Sequence, residues 1–423
     1  MKSIFSGVFY GWWIVAASFF TALYVGGAVF YGFTAMFEPI AKELGWSYTQ
    51  VSLAASLRGL EMGLLAPVIG VLTDRWGPRR LVLIGSILGG LGLLLLSRTT
   101  SLGLFYTAFV LIAIGMSTCT MTVLMTAVAS WFRRRVGIAT GIAICGFGFG
   151  GLMVPAIVGL IEAFDWRAAV TILALGMLVI PLPLSAVFRH RPEQYGHLPD
   201  GDSAAILPAP ADETPDNSNV TGELHVGGMQ ALRSATFWKI ALAFTCHAFL
   251  VLAIITHVMP YLSSIGVGRS TSSLVATAIP VASIVGRLGF GWFSDHFSRR
   301  VTTAVGFAML ALGLLSFAYA DLGLLPIILF LVLFGPGYGG LNVMRPSLIQ
   351  EYFGRGSFGT VFGLVIGISM LGSIAGPTLA GWAFDTQGTY RIIWLVMAAA
   401  PLVAVIASLS LVPSRSAPAS PHR

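Results

Sequence analysis

Apolar residues run through this chain in long stretches, each separated from the next by a short polar segment. A helix that crosses the hydrocarbon core of a bilayer needs about 20 predominantly apolar residues. Twelve stretches have about that length, and we place them at 12–36, 48–72, 81–98, 103–131, 136–162, 166–188, 237–263, 270–293, 301–319, 324–350, 358–384 and 391–412. Pro and Gly inside several of them are tolerated in membrane helices. The pattern predicts an all-α membrane protein with twelve transmembrane helices.

The composition agrees with lipid as the main solvent. Hydrophobic residues make up 56% of the chain and charged residues only 10%, whereas soluble domains carry about 25% charged residues. With the N-terminus inside, sixteen Lys and Arg fall in predicted cytoplasmic segments and five in outer segments. This bias predicts that both termini are cytoplasmic. It also accounts for the net charge of +7 without a nucleic-acid partner.

A charged turn appears twice, once after the second span and once after the eighth, with Asp74 and Asp295 lying 221 residues apart. Further landmarks recur 222 residues later, where Gly137, Gly141, Gly150, Pro155 and Gly159 are matched by Gly359, Gly363, Gly372, Pro377 and Gly381. Repeated halves in a membrane chain indicate a cavity between them that opens to either side. We therefore predict two six-helix bundles, at 1–188 and 236–412, with a cytoplasmic linker loop at 189–235 and a disordered tail at 413–423.

The charges of the repeated turn suggest a gate. A carboxylate at this point can bridge to arginines or cap a helix N-terminus, and so hold one conformation closed on the inside. The alternative is a turn that only fixes topology. Because the turn occurs in both halves, we favour a gating motif made of Asp74, Arg75, Gly77, Arg79, Arg80, Asp295, Arg299 and Arg300.

Four full charges lie well inside the predicted spans, where burial is costly. Arg58 and Glu61 are three residues apart on one helix face, so they either form a structural ion pair or take part in transport. Arg287, in the eighth span, has no acid within its own helix. A guanidinium without a resident partner favours a bound carboxylate, which it can hold with two parallel hydrogen bonds. The alternative is an interaction with backbone carbonyls or with Asp295.

Other interior residues complete the candidate site. Arg345 is either a second anion ligand or a partner of Glu351, and Asn342, Tyr31 and Tyr338 are further candidates for the cavity wall. An imidazole can carry a proton near neutral pH, so His247 joins Glu61 and Arg58 as a proton-coupling candidate. Three interior arginines against one glutamate favour an anionic substrate.

The sequence contains no motif for several other classes of function. The chain has no phosphate-binding loop ending in Lys-Ser or Lys-Thr, which argues against an ATP-driven pump within it. No nucleophile and base, no metal-ligand set and no disulfide framework appear at suitable spacing. We therefore expect neither an enzyme nor a bound cofactor or metal.

The repeated Asp-Arg-x-Gly-x-Arg-Arg turn resembles the loop motif of the major facilitator superfamily, which implies the major facilitator fold. More narrowly, the chain resembles the monocarboxylate transporter family and its bacterial oxalate/formate-antiporter-like branch. That likeness rests on Tyr10-Gly11-Trp12-Trp13, Trp131-Phe132-Arg133-Arg134-Arg135, Gly339-Gly340, Glu351-Tyr352-Phe353-Gly354 and the Arg of span eight. It implies that Arg287 binds the substrate carboxylate, and it implies a bacterial cytoplasmic (inner) membrane.

Two departures limit the likeness. Span eleven, 358–384, lacks the Lys that the oxalate/formate exchanger pairs with the span-eight Arg. Ser283 stands where well-studied monocarboxylate carriers have an Asp one turn before that Arg. We expect a monomeric secondary active transporter of small organic anions, above all monocarboxylates, that works by proton symport with alternating access. Exchange against a counter-anion, dicarboxylates included, and efflux of amphipathic compounds are the alternatives; membrane lipid surrounds the protein in each case.

Overall fold

The computed structural model of the protein describes residues 9–119, 121–132, 136–189, 192–195, 228–353 and 358–411. Within these ranges it leaves out the side chains of 58–64, 66, 67, 70, 71, 74, 121, 122, 136, 137, 193, 194, 228, 229, 295 and 358–360. The predicted tail at 413–423 and most of the linker loop lie outside the described residues. At the end of the linker, the short helix Gly228–Leu232 precedes the seventh span.

The described chain is helical, and eleven of its helices are long and apolar enough to cross a membrane. A further span, the first arm of the helix Tyr48–Ser97, completes the twelve. We number the spans α1 (Tyr10–Leu44), α2 and α3 (the two arms of Tyr48–Ser97), α4 (Leu102–Ala129), α5 (Ile138–Ala163), α6 (Trp166–Val187), α7 (Ala235–Ser264), α8 (Arg269–His296), α9 (Arg299–Phe317), α10 (Leu324–Phe353), α11 (Phe358–Gln387) and α12 (Arg391–Leu409).

The arms α2 and α3 meet at Gly77, inside the first charged turn. Gly77 has φ 76° and ψ 160°, a combination that only glycine adopts without strain. The chain therefore turns here without an intervening loop. The predicted break between the second and third spans is confirmed, and the glycine of the motif has a conformational reason.

The spans form two halves, α1–α6 and α7–α12. The halves meet along three seams, in which α2 packs on α11, α5 packs on α8, and α1 packs on α7. Large apolar side chains such as Val285, Leu288 and Ile406 lie more than 60% exposed on the outside of the molecule, as expected for a surface that faces lipid. The predicted fold class, twelve membrane helices in two six-helix bundles, is confirmed.

Because successive spans run in opposite directions, the molecule has two ends. We call one the Asp385 end; there α1, α7 and α11 end and α2 and α8 begin. The other is the Arg299 end, where α8 and α10 end and α9 begins. The contacts between the halves are described below by the end at which they lie.

Candidate functional site: a cationic and aromatic cluster between the halves

Two tyrosines join the halves near the middle of the molecule. The Tyr31 hydroxyl lies 3.3 Å from the Tyr338 hydroxyl, and both side chains are buried. Tyr31 ends a π-helical segment of α1, Gly26–Tyr31, marked by the bond from the Gly32 amide to the Gly27 carbonyl at 2.8 Å. Such wide turns re-aim a side chain and are common at functional sites. Here the wide turn brings a first-half tyrosine against α10.

Glycines let α8 and α10 approach each other closely. A Cβ atom on Gly286 would clash with the Pro336 carbonyl oxygen, and one on Gly339 would clash with the Ser283 carbonyl oxygen. Small residues at a helix crossing in lipid allow the two backbones to touch. This contact fixes α8, which carries Arg287, against the α10 segment that carries Tyr338.

Arg287 lies in this contact region, next to Gly286. Its Nε and Nη1 atoms are buried, and neither has a hydrogen-bond partner among the residues whose side chains are described. Its charge acts on the Tyr31 hydroxyl. A buried donor without an acceptor costs about 1–3 kcal/mol, and more when it is charged. Arg287 is therefore suited to an anionic ligand with two acceptor oxygens.

Arg345 and His247 form a pair on the other side of Tyr338. The Arg345 Nη2 atom lies 3.2 Å from His247 Nδ1, and the guanidinium lies 4.8 Å from the centre of the Phe244 ring. Because a guanidinium can only donate, Nδ1 must accept, and the imidazole is uncharged in this arrangement. The His247 ring in turn stacks on Tyr338, with centroids 6.0 Å apart and an interplanar angle of 25°. The structure thus brings Arg345, His247 and Tyr338 together.

The remaining interior candidates behave differently. Asn342 donates from Nδ2 to the Tyr338 carbonyl at 3.1 Å, one turn back on its own helix. Glu351 lies 3.9 Å from Arg299 rather than beside Arg345, which contacts His247. The side chains of Arg58 and Glu61 lie outside the described residues.

A small cavity lies next to the tyrosine pair on the side of the Asp385 end. Tyr31 and Thr34 of the first half line it together with five apolar residues of the second half, which are Ile255, Val258, Ala276, Ile279 and Pro280. The hydrogen bonds between the halves in which both side chains are described lie at the tyrosine pair or on this side of it. Among the described residues, the halves are therefore joined toward the Asp385 end.

The seam between α2 and α11 carries most of these bonds. The Asp385 carboxylate accepts from the Tyr48 amide at 2.9 Å, from the Thr49 amide at 2.7 Å and from the Thr49 hydroxyl. About two turns further along α2, the Ser56 hydroxyl donates to the Ile374 carbonyl at 2.7 Å. Gly381 makes this approach possible, since a Cβ atom there would lie 2.8 Å from the Tyr48 carbonyl oxygen.

His257 is a second link in the same seam. It is fully buried on α7, with Nε2 3.0 Å from the Ser52 hydroxyl and Nδ1 2.9 Å from the Tyr390 hydroxyl. Its Nε2 atom also lies 3.0 Å from the Pro377 carbonyl oxygen. Both ring nitrogens are therefore engaged, and His257 connects α2 of the first half with α11 and with Tyr390, the residue just before α12.

Comparison with known proteins identifies the fold. The model of the Major Facilitator Superfamily matches residues 15–365 and, in a second match, 248–423. The chain belongs to the Major Facilitator Superfamily. It is therefore a transporter and an integral multi-pass membrane protein, not an enzyme.

Several monocarboxylate transporters are similar to this superfamily member over most of their length. "Monocarboxylate transporter 12" of Xenopus laevis is 26% identical over 407 residues, which cover 92% of this chain and 85% of the relative. "Monocarboxylate transporter 13" of Bos taurus is 27% identical over 404 residues, covering 92% and 86%. The resemblance drawn from the aromatic and glycine motifs is thus confirmed at the level of sequence similarity.

Solved transporter structures share the fold at low identity. A crystal structure of the nucleoside transporter NupG aligns with a TM-score of 0.75 at 13% identity, over 95% of this chain and 99% of that one. A bacterial homologue of the human lysosomal transporter Spinster, in an inward-facing and occupied conformation, aligns with a TM-score of 0.70 at 16% identity, over 95% and 96%. At such identities the likeness concerns the fold alone.

The gating motif of this superfamily member is described in part. In the second half, Arg299 donates from Nη1 to the Ser347 carbonyl at 3.2 Å and pairs with Glu351, and Arg300 donates to the Leu411 carbonyl at 3.2 Å. In the first half, Arg75, Arg79 and Arg80 are exposed. The side chains of Asp74 and Asp295 lie outside the described residues, so the predicted gating role stays a prediction.

Sequence reasoning missed the residues that join the halves at the Asp385 end. Asp385, Ser52, Arg269 and Gly381 are single residues near helix ends and carry no motif. Gly381 was noted only as a member of the repeat. A signal existed for His257, which stands beside Thr256 near the end of a span, but its partners come from three other helices.

Proposed function

We propose that the protein is a secondary active transporter that carries small organic anions, above all monocarboxylates, across the membrane by alternating access. The observation that carries this proposal is Arg287, whose Nε and Nη1 atoms are buried and have no hydrogen-bond partner among the described residues. A carboxylate offers one negative charge and two acceptor oxygens. Each face on which a guanidinium binds a carboxylate with two hydrogen bonds, Nε with Nη2 or Nη1 with Nη2, includes one of these two atoms. The names of the similar transporters support the same class of substrate.

The residues around Arg287 take defined roles in this proposal. Arg287 holds the carboxylate, and the Tyr31 and Tyr338 hydroxyls close the site between the halves. Asn342 lies one turn from Tyr338 and supplies a further polar group. A substrate bound here contacts both halves, so its binding energy can differ between the two orientations of the halves, as a carrier requires.

The same contacts suggest which state of the transport cycle this is. By the positive-inside rule, both termini and the Arg299 end are cytoplasmic, and the Asp385 end faces outward. The hydrogen bonds between described residues of the two halves then lie on the outer side, and on this basis we assign the structure to an inward-facing state. On this assignment the two charged turns, with Asp74 and Asp295, form the cytoplasmic gate that closes in the opposite state.

Proton symport fits an anion that enters a cell with a negative interior. Moving one charge against the membrane potential costs about 2.3 kcal/mol per 100 mV, and a co-bound proton removes this term. Glu61, Arg58 and His247 remain the candidates for the coupling site. His247 accepts from Arg345 in this state, so it can take a proton only after that contact opens.

Anion exchange is the second candidate, and Arg345 favours it. This residue gives the interior a second cation, and its Nε atom is buried with no hydrogen-bond partner among the described residues. In this proposal Arg345 or Arg58 substitutes for the Lys that span eleven lacks. Exchange of one anion for another, dicarboxylates included, needs no proton. Efflux of amphipathic compounds is a third possibility, and it requires no carboxylate at Arg287.

The organisation of the chain follows from the same proposal. Residues 1–188 and 236–412 form the two moving bundles, 189–235 the cytoplasmic linker and 413–423 the tail. The two bundles enclose the site within a single chain, so a monomer in the bacterial inner membrane is sufficient for transport.

Ligand-dependent stabilisation of the purified protein tests the proposal. A ligand present at 100 times its dissociation constant adds about 2.7 kcal/mol to the free energy of unfolding. We expect formate, acetate, lactate or pyruvate to raise the melting temperature of the parent but not of Arg287→Ala. Arg98→Ala, which removes an exposed Arg at the Asp385 end, should behave like the parent. A shift that survives in Arg287→Ala would contradict the carboxylate site and favour efflux of larger compounds.

A further inference from the structure

One of the contacts between the halves at the Asp385 end is made by a carboxylate that caps a helix of the opposite half. Asp385 is the last acid of α11, yet its partners are the first two amides of α2 in the opposite half. The first amides of a helix have no acceptor within the helix, and a carboxylate there also interacts favourably with the helix dipole. The N-terminus of α2 is thus capped from across the interface.

α2 also has an N-terminal cap formed by its own residues, and that cap accepts from a different backbone amide. The Ser47 hydroxyl accepts from the Gln50 amide at 3.2 Å, and the Gln50 side chain accepts from the Ser47 amide at 3.0 Å. Asp385 satisfies the amides of Tyr48 and Thr49, which this capping box leaves open. When the halves separate at this end, α2 therefore keeps its own cap but loses the one that Asp385 provides.

A second charged contact lies in the seam formed by α8. Arg269, the first residue of α8, donates from Nη2 to the Ala35 carbonyl of α1 at 2.7 Å. It also interacts electrostatically with Glu162 and Glu38 of the first half. Asp385 and Arg269 are thus two charged groups of the second half that end on the first, one on α2 and one on α1.

The Asp385 contact is suited to opening. The Asp385 side chain is exposed, so on release its carboxylate is solvated by water without further movement. An exposed charged contact contributes little energy, and two states of a carrier must differ by only a few kcal/mol. Contacts buried deeper, such as those of His257, fix the geometry, whereas Asp385 adds a bond that can be broken and remade.

We propose that Asp385 is a conformational latch, which holds the halves together at this end by capping α2 and shifts the equilibrium toward the closed form. This inference rests on the proposed function only in requiring that the halves move. It does not depend on the identity of the substrate. Its test therefore uses protein without any added anion.

Distances between spin labels test the latch directly. In the full-length protein with Cys119, Cys145 and Cys246 replaced, labels at Lys42→Cys and Gln387→Cys report the separation of the halves at the Asp385 end, since both positions are exposed and lie in opposite halves. We expect Asp385→Asn to raise the population of the longer distance about threefold. Labels at Lys42→Cys and Arg98→Cys lie within the first half, and their distance should not change.

Asp165→Asn is the matched control. The Asp165 carboxylate also caps a helix, accepting from the Ala168 amide at 2.6 Å, but within its own half. This exchange removes the same charge from a helix N-terminus, but within one half, so it should leave the separation of the halves unchanged. Thr49→Val removes only the hydroxyl bond to Asp385 and should cause a smaller rise; it serves as the test should Asp385→Asn not fold.

Two results would overturn the latch. One is a distance distribution in Asp385→Asn, or in Thr49→Val if the former does not fold, that equals the parent distribution. The other is an equal opening in Asp165→Asn, which would assign the effect to general loss of stability. A failure of carboxylates to bind would contradict the proposed substrate and leave these distances unaffected.

Discussion

The Tyr31 hydroxyl of the first half and the Tyr338 hydroxyl of the second lie 3.3 Å apart and form the innermost hydrogen bond between the halves among the described residues. Tyr31 lies within the electrostatic reach of Arg287, and Tyr338 stacks on His247, which contacts Arg345. The pair thus links both interior arginines of the second half to a helix of the first. A ligand held by Arg287 lies against the bond that must change when the halves move.

The tyrosine pair allows a double-mutant cycle. Tyr31→Phe or Tyr338→Phe leaves the partner hydroxyl buried without its bond, which should cost about 1 kcal/mol of unfolding free energy. The double variant removes both hydroxyls, so it should be no less stable than either single variant. Thermal unfolding in detergent measures all four proteins. Additive losses would mean that the hydroxyls act separately and that the bond is not formed in the protein.

Close packing of α8 on α10 predicts a sharp difference between two glycines of one helix. Gly286→Ala would place a methyl group against the Pro336 carbonyl oxygen, whereas Gly289→Ala meets no described atom within 4 Å. Overpacking costs typically about 1–3 kcal/mol. We expect Gly286→Ala to lower the melting temperature and weaken carboxylate binding, because Arg287 is displaced with the helix. Gly289→Ala should match the parent. Equal behaviour of the two variants would contradict the described crossing.

The two glycines that end helices in the first half should differ in tolerance. Gly45 has φ 67° and ψ 26°, a left-handed conformation that Asn also adopts. Gly77 has φ 76° and ψ 160°. In this backbone conformation any residue with a side chain is strained by about 1–3 kcal/mol. Gly45→Asn should therefore leave the melting temperature near that of the parent, and Gly77→Asn should lower it. If Gly77→Asn were as stable as Gly45→Asn, the turn between α2 and α3 would not have this geometry.

Arg345 separates monocarboxylate transport from dicarboxylate exchange. Arg345→Gln removes one interior charge but leaves Arg287, so a monocarboxylate should still bind. If Arg345 is a second anion ligand, oxalate and malonate should lose at least about tenfold in affinity. Binding titrations with acetate and malonate in the parent and in Arg345→Gln measure this. A loss confined to malonate would favour exchange that includes dicarboxylates. Equal losses for both ligands would make Arg345 a support for the site as a whole.

The fold was predictable because lipid imposes a simple pattern. Twelve apolar stretches, a repeated turn and the bias of Lys and Arg led to the spans, and the structure differs from them mainly at the ends. Arg287 stood out for a related reason, since a charge inside a span is rare and costly. These features can be recognised in the residues of a single segment, without knowing which segments are in contact.

The contacts between the halves were not predictable in the same way. Asp385 is an ordinary acid near a helix end, and only the packing of α11 on α2 reveals that it caps another helix. The π-helical turn that aims Tyr31 depends on the neighbouring α5, where Met153 and Gly150 pack against Gly27. Likewise, the pairing of Arg345 with His247 joins residues on two helices. Sequence identifies such residues as candidates but does not give their partners.

Uptake of labelled monocarboxylates into proteoliposomes is the measurement that tests carboxylate transport through Arg287 most directly. Parent protein, Arg287→Ala and Arg98→Ala would be compared with formate, lactate and pyruvate, with and without an inward proton gradient. We expect uptake by the parent and by Arg98→Ala, accelerated by the gradient, and a loss of at least about tenfold in Arg287→Ala. Uptake by Arg287→Ala at the parent rate, or no uptake of any carboxylate by the parent, would contradict the proposed function.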